Sequence, residues 1–136
     1  MAELTYIPPA ELQDVWDVVK DGVKQVGEHA NDGWIAEDVY TAIRNGAATL
    51  HLGYVDDEYV GFIVFVPTQG YDAMKLMIWV CYSCSGTPIL EVFIEDIRKM
   101  ARAIKARKIT FSSERKGWER RMREFKPKMT IYEMEV

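Results

Sequence analysis

The chain has 136 residues and a formal net charge of −4. We expect one domain over residues 1–136, because a chain of this length buries about two thirds of its unfolded surface. The first residues, MAELTYIPPA, lack a basic region followed by an apolar run, and no apolar stretch approaches the ~20 residues that span a bilayer. We therefore expect a soluble cytoplasmic protein that needs neither a disulfide nor a membrane.

The charge is unevenly distributed along the chain. Segment 98–128 holds 13 of the 17 Lys and Arg residues and three acids, a formal charge of +10, and the remainder carries −14. A basic surface attracts nucleotides, nucleic acid or acidic partners. The commoner outcome is a solvated face, or two halves that pair with each other, so nucleic-acid binding is the less favoured interpretation.

The first half of the chain predicts a strand, two helices and a β-hairpin. Residues 4–7 form a short strand that two prolines end. Apolar residues at three- and four-residue steps predict an amphipathic helix over 12–26 and a second one over 35–45. Alternating residues over 48–54 and 59–66, separated by an acidic turn, predict the hairpin.

The second half predicts a central strand followed by alternating helices and strands. Residues 73–82 are apolar nearly throughout, as expected for a strand covered on both faces. A long helix follows up to about residue 104, and then a short strand over 108–112. A basic helix over 117–125 and a last strand over 129–136, MTIYEMEV, complete the chain.

The junction between the central strand and the long helix carries the strongest chemical signal. A helix N-terminus exposes unpaired backbone N–H groups, and proteins use such ends to hold phosphates. The turn has one glycine, Gly86, followed by Thr87 and by Pro88, which has no N–H to donate. It therefore keeps the outline of an anion site with fewer donors.

This order of elements resembles the GCN5-related N-acetyltransferase (GNAT) superfamily over the whole chain. The resemblance implies a single α/β (α+β) domain with a mixed, mostly antiparallel sheet flanked by helices, in the order β-α-α-β-β-β-α-β-α-β. In that family the central strand ends in a splayed region that receives the pantetheine arm of acetyl-CoA, and the turn R/Q-x-x-G-x-G/A wraps the pyrophosphate. The cofactor-binding residues that the resemblance implies are Val80, Tyr82, Ser85, Gly86, Thr87 and Ile89.

The turn departs from the family motif at three positions. Ser85 stands where the basic or amide residue would be, and Pro88 and Leu90 stand at two glycine positions. A lost hydrogen bond to a charged phosphate costs about 1.5 to 3 kcal/mol, so the missing amide of Pro88 weakens binding by about one to two decades. Glu91 adds a negative charge close to the anion site. Acetyl-CoA binding is therefore expected to be weak or absent.

The catalytic acid of the family is also missing, and the catalytic residues stay unassigned. Many members carry a tyrosine on the last helix that protonates the departing CoA thiolate. If Phe125 takes the aromatic position of that motif, Arg120 occupies the place of the tyrosine and Glu124 that of a glycine. An arginine cannot act as a general acid, because its pKa is far above the working range.

A narrower resemblance is to short GNAT-like proteins encoded by tailed phages and prophages. It rests on the KGWERRMREF helix, the terminal YEMEV and the stretch from VWDVVKDGV to EDVYTAI. It implies no settled activity. The favoured hypothesis is a phage or prophage accessory protein with weak or lost cofactor binding that acts through protein contacts, in the cytoplasm or on a virion, because the turn and the acid both depart from the family pattern. The alternatives are an active N-acyltransferase that uses acyl-CoA and an amine acceptor, and a nucleic-acid binder.

Cys81 and Cys84 form a C-x-x-C pair, which in a thioredoxin-like unit would be redox-active. We favour reduced structural cysteines, because the order of strands is wrong for that fold. Structural zinc needs four ligands, and the remaining candidates, His29 and His51, lie far away in the sequence. No metal site is expected.

Three further residues have both a functional and a structural interpretation. His51 is either a base facing a cleft or, as the favoured interpretation, a histidine at the surface or sheet edge. Trp34 and Tyr40 would line the acceptor cleft by analogy with the family. Aromatic residues at helical spacing more often serve packing.

Overall fold

A computed structural model describes residues 1–30, 32–113 and 117–136, apart from the side chain of Glu119. Residues 114–116 of the basic segment lie outside this description. Five strands form one sheet in the order β1-β2-β3-β4-β5: β1 Ala2–Ile7, β2 Thr49–Val55, β3 Glu58–Gln69, β4 Met74–Ser83 and β5 Ala106–Phe111. Neighbouring strands are antiparallel except β4 and β5, which are parallel. The predicted α+β fold with a mixed, mostly antiparallel sheet is therefore confirmed.

Helices cover both faces of the sheet. Their bounds are α1 Leu12–Ala30, α2 Ala36–Arg44, α3 Ile89–Val92, α4 Ile94–Ala103 and α5 Trp118–Arg121, with a 3-10 turn at Pro9–Glu11. Residues of α1 and α2 pack against one face around Phe62 and Val64, and residues of α3 and α4 pack against the other around Phe65 and Phe93. Among the described helices, none is both long and apolar enough to cross a bilayer.

The predicted long helix is interrupted at Phe93, which separates α3 from α4. The ring of Phe93 is fully buried, and it lies against the backbone of Gly53 in β2. A Cβ atom at Gly53 would stand 2.9 Å from that ring, so only glycine leaves room for it. Helical periodicity does not reveal this packing.

The two predictions for the end of the chain need correction. The helix expected over 117–125 is a single turn, Trp118–Arg121, and the strand expected over 129–136 is not formed. The alternating pattern of 129–136 is suited to a strand, but a strand is stable only when another edge pairs with its backbone. No strand of the described residues pairs with this segment.

Strands β4 and β5, at one edge of the sheet, diverge half-way along β4. They pair only over Met74–Ile78 of β4, and the last five residues of β4 continue without a partner from β5. The pairing of β3 with β4 shifts at this point, because Phe65 lies opposite Ile78 and Val64 lies opposite Val80. Trp79 is the extra residue, and such a bulge bends its strand and increases the local twist.

Gly61 in β3 is expected to tolerate no side chain. Its φ is +153°, and a Cβ atom there would stand 2.0 Å from the carbonyl oxygen of Tyr82 in β4. We expect Gly61→Ala to lower the free energy of unfolding by about 3 kcal/mol or more, because the strands must separate locally. Gly46 is the matched control, since it has φ +85° but nothing within 4 Å of the added Cβ.

Gly46→Ala should therefore cost only about 1 kcal/mol. Urea unfolding followed by far-UV circular dichroism measures both variants. Equal losses for the two variants would contradict the close approach at Gly61.

Candidate functional site

A cleft of about 820 Å³ opens where β4 and β5 diverge. One wall is the end of α1 with the residues that follow it, and the opposite wall is the end of β5 with α5. The floor is the unpaired half of β4 and the turn into α3. Parallel strands that separate in this way leave a groove at their carboxyl ends, where α/β proteins place ligands.

The floor offers backbone groups along an open strand edge. Residues 80–83 have β3 on one side and no β5 partner on the other. The hydroxyl oxygen of Ser83 is buried and has no hydrogen-bond partner in the described part of the chain. A ligand with amide groups in an extended conformation can therefore pair with this edge.

The turn after β4 offers few donors for an anion. The hydroxyl groups of Ser85 and Thr87 lie 2.8 Å apart and hydrogen-bond to each other. Gly86 has φ +76° and faces open space. The following helix α3 has only four residues and begins after Pro88, so it does not present a full N-terminal set of amides.

An ion pair joins the two sides of the cleft. Nη2 of Arg121 lies 2.9 and 3.1 Å from the two carboxylate oxygens of Glu91. The same guanidinium lies over the ring of Trp118, 4.7 Å from its centroid. Trp118 in turn donates a hydrogen bond from Nε1 to Ser113 at 2.8 Å, which connects α5 to the end of β5.

Two tryptophans form the aromatic part of the cleft on the α1 side. The rings of Trp34 and Trp79 meet edge to face, with centroids 5.6 Å apart. Trp34 lies directly against Gly27, where an added Cβ would stand 3.0 Å from the ring. The edge-to-face pair presents a rigid apolar surface that can hold an apolar or cationic group.

No protein-family model matches the chain, and no curated protein matches it. Solved structures do match. One is a probable acetyltransferase with TM-score 0.70 and 13% identity, where the match covers 98% of each chain. A ribosomal-protein-alanine N-acetyltransferase from Brucella melitensis biovar Abortus has TM-score 0.68 and 12% identity, and the match covers 100% of each chain.

A third match is a predicted acetyltransferase from Clostridium acetobutylicum, solved with acetyl-CoA. It has TM-score 0.66 and 11% identity, and the match covers 99% of this chain and 96% of that one. The fold is that of the GNAT acetyltransferases. At these identities the likeness concerns the fold alone, and it leaves the chemistry of the cleft to be argued from its residues.

The site residues implied by the GNAT resemblance fall in different places. Four of them line the cleft: Tyr82, Gly86, Thr87 and Ile89. Val80 is fully buried in the core beneath α1 and α2, and Ser85 is exposed beside Thr87 without lining the cleft. Leu90, placed at a glycine position of the GNAT motif, is buried in the core with α4.

The other residues interpreted from the sequence also lie in different places, some in the cleft and some outside it. Trp34 lines the cleft, whereas Tyr40 packs edge to face against Trp16 with centroids 4.9 Å apart. Arg120, at the position of the GNAT tyrosine, is exposed. Phe125 is half-buried and packs against the core beside Phe111, at a centroid distance of 4.9 Å.

The cleft residues that were not identified from the sequence as site residues include Trp79, Arg121 and Glu91 as the partner of Arg121. Glu91 and Arg121 are 30 residues apart, and no spacing rule links them. The sequence could have indicated Trp79 as a cleft residue, because it is a large polarisable residue at the position where the central strand is predicted to splay. In the basic segment, Arg98 also pairs with acids, namely Glu95 and Glu124.

The two cysteines have different surroundings. Burial, followed by the negative charge of Glu91, raises the pKa of the Cys81 thiol to about 12, so the thiol stays protonated at neutral pH. Cys84 is exposed, and its backbone N–H donates to the carbonyl of Val60 at 3.0 Å. Both are free thiols, and the described residues contain no cluster of three or more candidate metal ligands.

Thiol labelling should distinguish these two cysteines. Iodoacetamide is expected to modify Cys84 in the native protein at neutral pH and to modify Cys81 only after unfolding, because the thiolate is the reactive form. Peptide mass spectrometry before and after denaturation measures the two sites. Rapid native labelling of Cys81, or a disulfide between the two, would contradict the assignment of Cys81 as a buried neutral thiol.

His51 lies inside the sheet and not at the surface, which corrects the favoured interpretation. It is buried, with its ring 5.3 Å from that of Phe65 and 5.5 Å from that of Tyr6. Its Nδ1 has no partner among the described residues. Burial lowers the pKa of His51 to about 4, so the imidazole is neutral at physiological pH. It does not line the cleft.

Stability should depend on pH through His51. The unfolded chain protonates this imidazole near pH 6.5 and the folded chain only near pH 4, so the unfolded state binds more protons between these values. The free energy of unfolding should therefore fall by about 2 kcal/mol between pH 8 and pH 5. Urea unfolding at several pH values measures this fall.

Two variants isolate the contribution of His51. His51→Phe should remove most of the fall, because Phe fits the same aromatic site without a titrating group. His29→Gln should retain it, since His29 is exposed on α1. If the two variants have the same pH profile, another group causes the dependence.

Proposed function

We propose that this chain is a GNAT-fold binding domain with a degenerate acyl-CoA site, which holds acyl-CoA weakly or not at all. The observation that carries the proposal is the pair between Glu91 and Arg121. Arg121 is the only Lys or Arg among the described residues that line the cleft. Its charge is already matched by an acid next to the turn where a pyrophosphate would lie.

The balance of charge and donors supports this proposal. The charged residues described in the cleft lining are Asp32, Glu91 and Arg121, a net charge of −1. A CoA molecule carries several phosphate charges, and it needs cations or amides to replace their hydration. Pro88 supplies no amide, and the side chain of Ser85 bonds to Thr87.

The binding partner we propose is a protein. The open β4 edge accepts an extended peptide through backbone hydrogen bonds, and the pair of Trp34 and Trp79 offers a place for one apolar or cationic side chain. The resemblance of 117–125 to short phage-encoded proteins supports an accessory role in a tailed phage or prophage. Such a protein would act in the host cytoplasm or on the virion.

The second candidate is an active N-acyltransferase. It is favoured by the unpaired β4 edge, which can accept the amides of a pantetheine chain, and by the GNAT fold shared with an acetyl-CoA-bound structure. An amine acceptor would then lie near Trp34. Catalysis would depend on positioning and on backbone amides, with water in the place of the missing acid.

A titration with CoA and acetyl-CoA separates the two candidates. Isothermal titration should detect weak binding or none for the unaltered chain. Glu91→Gln removes the acid that holds Arg121 and the negative charge beside the turn, so CoA affinity should rise by about three- to tenfold. Glu95→Gln is the matched control, because Glu95 pairs with Arg98 on α4 and does not line the cleft.

A dissociation constant near ~1 µM for the unaltered chain would overturn the degenerate-site proposal and favour the acyltransferase. Equal affinities for Glu91→Gln and Glu95→Gln would show that the Glu91–Arg121 pair does not limit binding. Circular dichroism of each variant verifies that the fold is retained. Acetyl transfer to a panel of primary amines, followed by release of free CoA, tests the second candidate directly.

A further inference from the structure

Residues 97–113, which run from α4 to the end of β5, contain six cations and no acid. Arg98 is the one that pairs with acids, Glu95 and Glu124, within residues 1–30, 32–113 and 117–136. The other five have no acid partner in this part of the chain: Lys99, Arg102, Lys105, Arg107 and Lys108. The acidic first half of the chain therefore does not neutralise these cations through ion pairs.

Four of these cations and one lysine of β4 lie at the same end of the sheet. Met74 pairs with Ala106, which brings the start of β4 beside the start of β5 and the turn that follows α4. Lys75 lies directly opposite Lys108 in the register of the two strands. We term this group the basic end, and its members are Lys75, Arg102, Lys105, Arg107 and Lys108.

The pair of opposite lysines is unfavourable within the chain itself. Like charges on directly opposite residues of neighbouring strands repel each other. An anion bound between Lys75 and Lys108 would convert this repulsion into attraction. The basic end therefore favours a negatively charged ligand.

The loop between β3 and β4 adds an exposed aromatic ring beside the basic end. The side chain of Tyr71 is 111% exposed. Its neighbour Gly70 lies against Lys75, because a Cβ atom added to Gly70 would stand 3.3 Å from Cε of that lysine. Asp72 is the acid of this loop, and together with the basic end it leaves a formal charge of +4. A ring exposed in this way can stack on an unpaired base.

We propose that the basic end binds single-stranded nucleic acid without sequence preference. Its Lys and Arg side chains would contact phosphates, and Tyr71 would stack on one base. This site is separate from the cleft, since the two use opposite ends of β4: Lys75 belongs to the basic end, and Tyr82 lines the cleft. The proposal therefore goes beyond the function proposed for the cleft and does not depend on it.

The surroundings of the cations favour nucleic acid over a membrane. Proteins that lie on a lipid surface place a broad apolar face beside their cations. Within residues 70–75 and 99–108, all of which the structure describes, Ile104 is the one exposed large aliphatic residue, and it is 40% exposed. Unpaired bases also suit Tyr71 better than a duplex does, because the bases of a duplex are already stacked on each other.

Fluorescence anisotropy with a labelled oligothymidylate of about 20 nucleotides tests the proposal. If about four cations each contact a phosphate, the logarithm of the binding constant should fall with the logarithm of the salt concentration at a slope of about −3. Binding should then weaken about 50-fold between about 50 mM and about 200 mM NaCl. A duplex of the same length should bind more weakly than the single strand at each salt concentration.

A triple variant removes three cations of the basic end: Arg102→Gln, Lys105→Gly and Arg107→Gln. Glycine suits position 105, because Lys105 has a φ of +60°. At low salt this variant should bind at least tenfold more weakly, and the magnitude of its salt slope should be smaller by about 2. The matched control, Lys20→Gln with Lys24→Gln and Arg120→Gln, removes the same charge elsewhere and should change affinity less than threefold. Circular dichroism verifies the fold of both variants.

Substitution of Tyr71 tests the stacking separately from the charge. Tyr71→Ala should weaken binding of the oligothymidylate at least threefold, because it removes the ring. Tyr71→Trp should bind within about twofold of the unaltered chain, because indole also stacks on bases. Neither substitution changes the charge of the basic end.

Four results would overturn the proposal. The first is no binding of the oligothymidylate at about 50 mM salt, whether or not phosphatidylserine vesicles bind the chain. The second is an equal loss of affinity in the two triple variants, which would show that net charge alone attracts the oligonucleotide. The third is an unchanged affinity in Tyr71→Ala. The fourth is a duplex that binds as tightly as the single strand.

Discussion

The divergence of β4 from β5 is the constraint on which the rest of the structure depends. The two strands pair up to Ile78 and Phe111, and the bulge at Trp79 then turns β4 away. If the pairing continued, the ladder would close over the space that the cleft now occupies. In the separated half of β4, one row of backbone N–H and C=O groups has no strand partner. The free-energy cost of these unpaired groups is offset by the burial of side chains on the α1 face, such as Val80.

The interactions that affect anion binding in this cleft can be ranked by their free energies. The Glu91–Arg121 pair is partly exposed, at 33% and 49%, so it contributes at most about 1 kcal/mol to stability. A ligand could therefore separate the pair at small cost. In the proposed degenerate site, the phosphate donors missing at Pro88 and Ser85 would cost about 1.5 to 3 kcal/mol each. On that proposal the turn and the Glu91–Arg121 pair both weaken anion binding, so Glu91→Gln is expected to restore only part of the affinity.

The sequence predicts the helices and strands that a local pattern specifies. It does not predict the features that contacts between distant residues determine. Alternation and helical periodicity gave β1 to β5, α1 and α2 with errors of a few residues, because each pattern reflects a face that is buried in the fold. The packing of the Phe93 ring depends on Gly53, which lies 40 residues earlier in the chain. Residues 129–136 also have the alternation of a strand, but the pattern does not say which strand edge would pair with them. His51 was misjudged for a related reason: a polar residue in an alternating strand usually faces water, and here both faces are covered.

The same holds for the cleft: residues next to one another in the sequence were predicted, and residues that meet only in the tertiary fold were not. Counting along the turn located Gly86, Thr87 and Ile89, since these residues follow β4 directly. Arg121 and Trp118 reach the cleft from α5, and Trp34 reaches it from the segment before α2, so their meeting is a property of the tertiary fold. The two core clusters lie mainly outside the cleft, around Phe62 and around Phe93. Residues of the cleft can therefore change with little loss of core packing, so a fold shared at 13% identity does not by itself carry over the chemistry of the cleft.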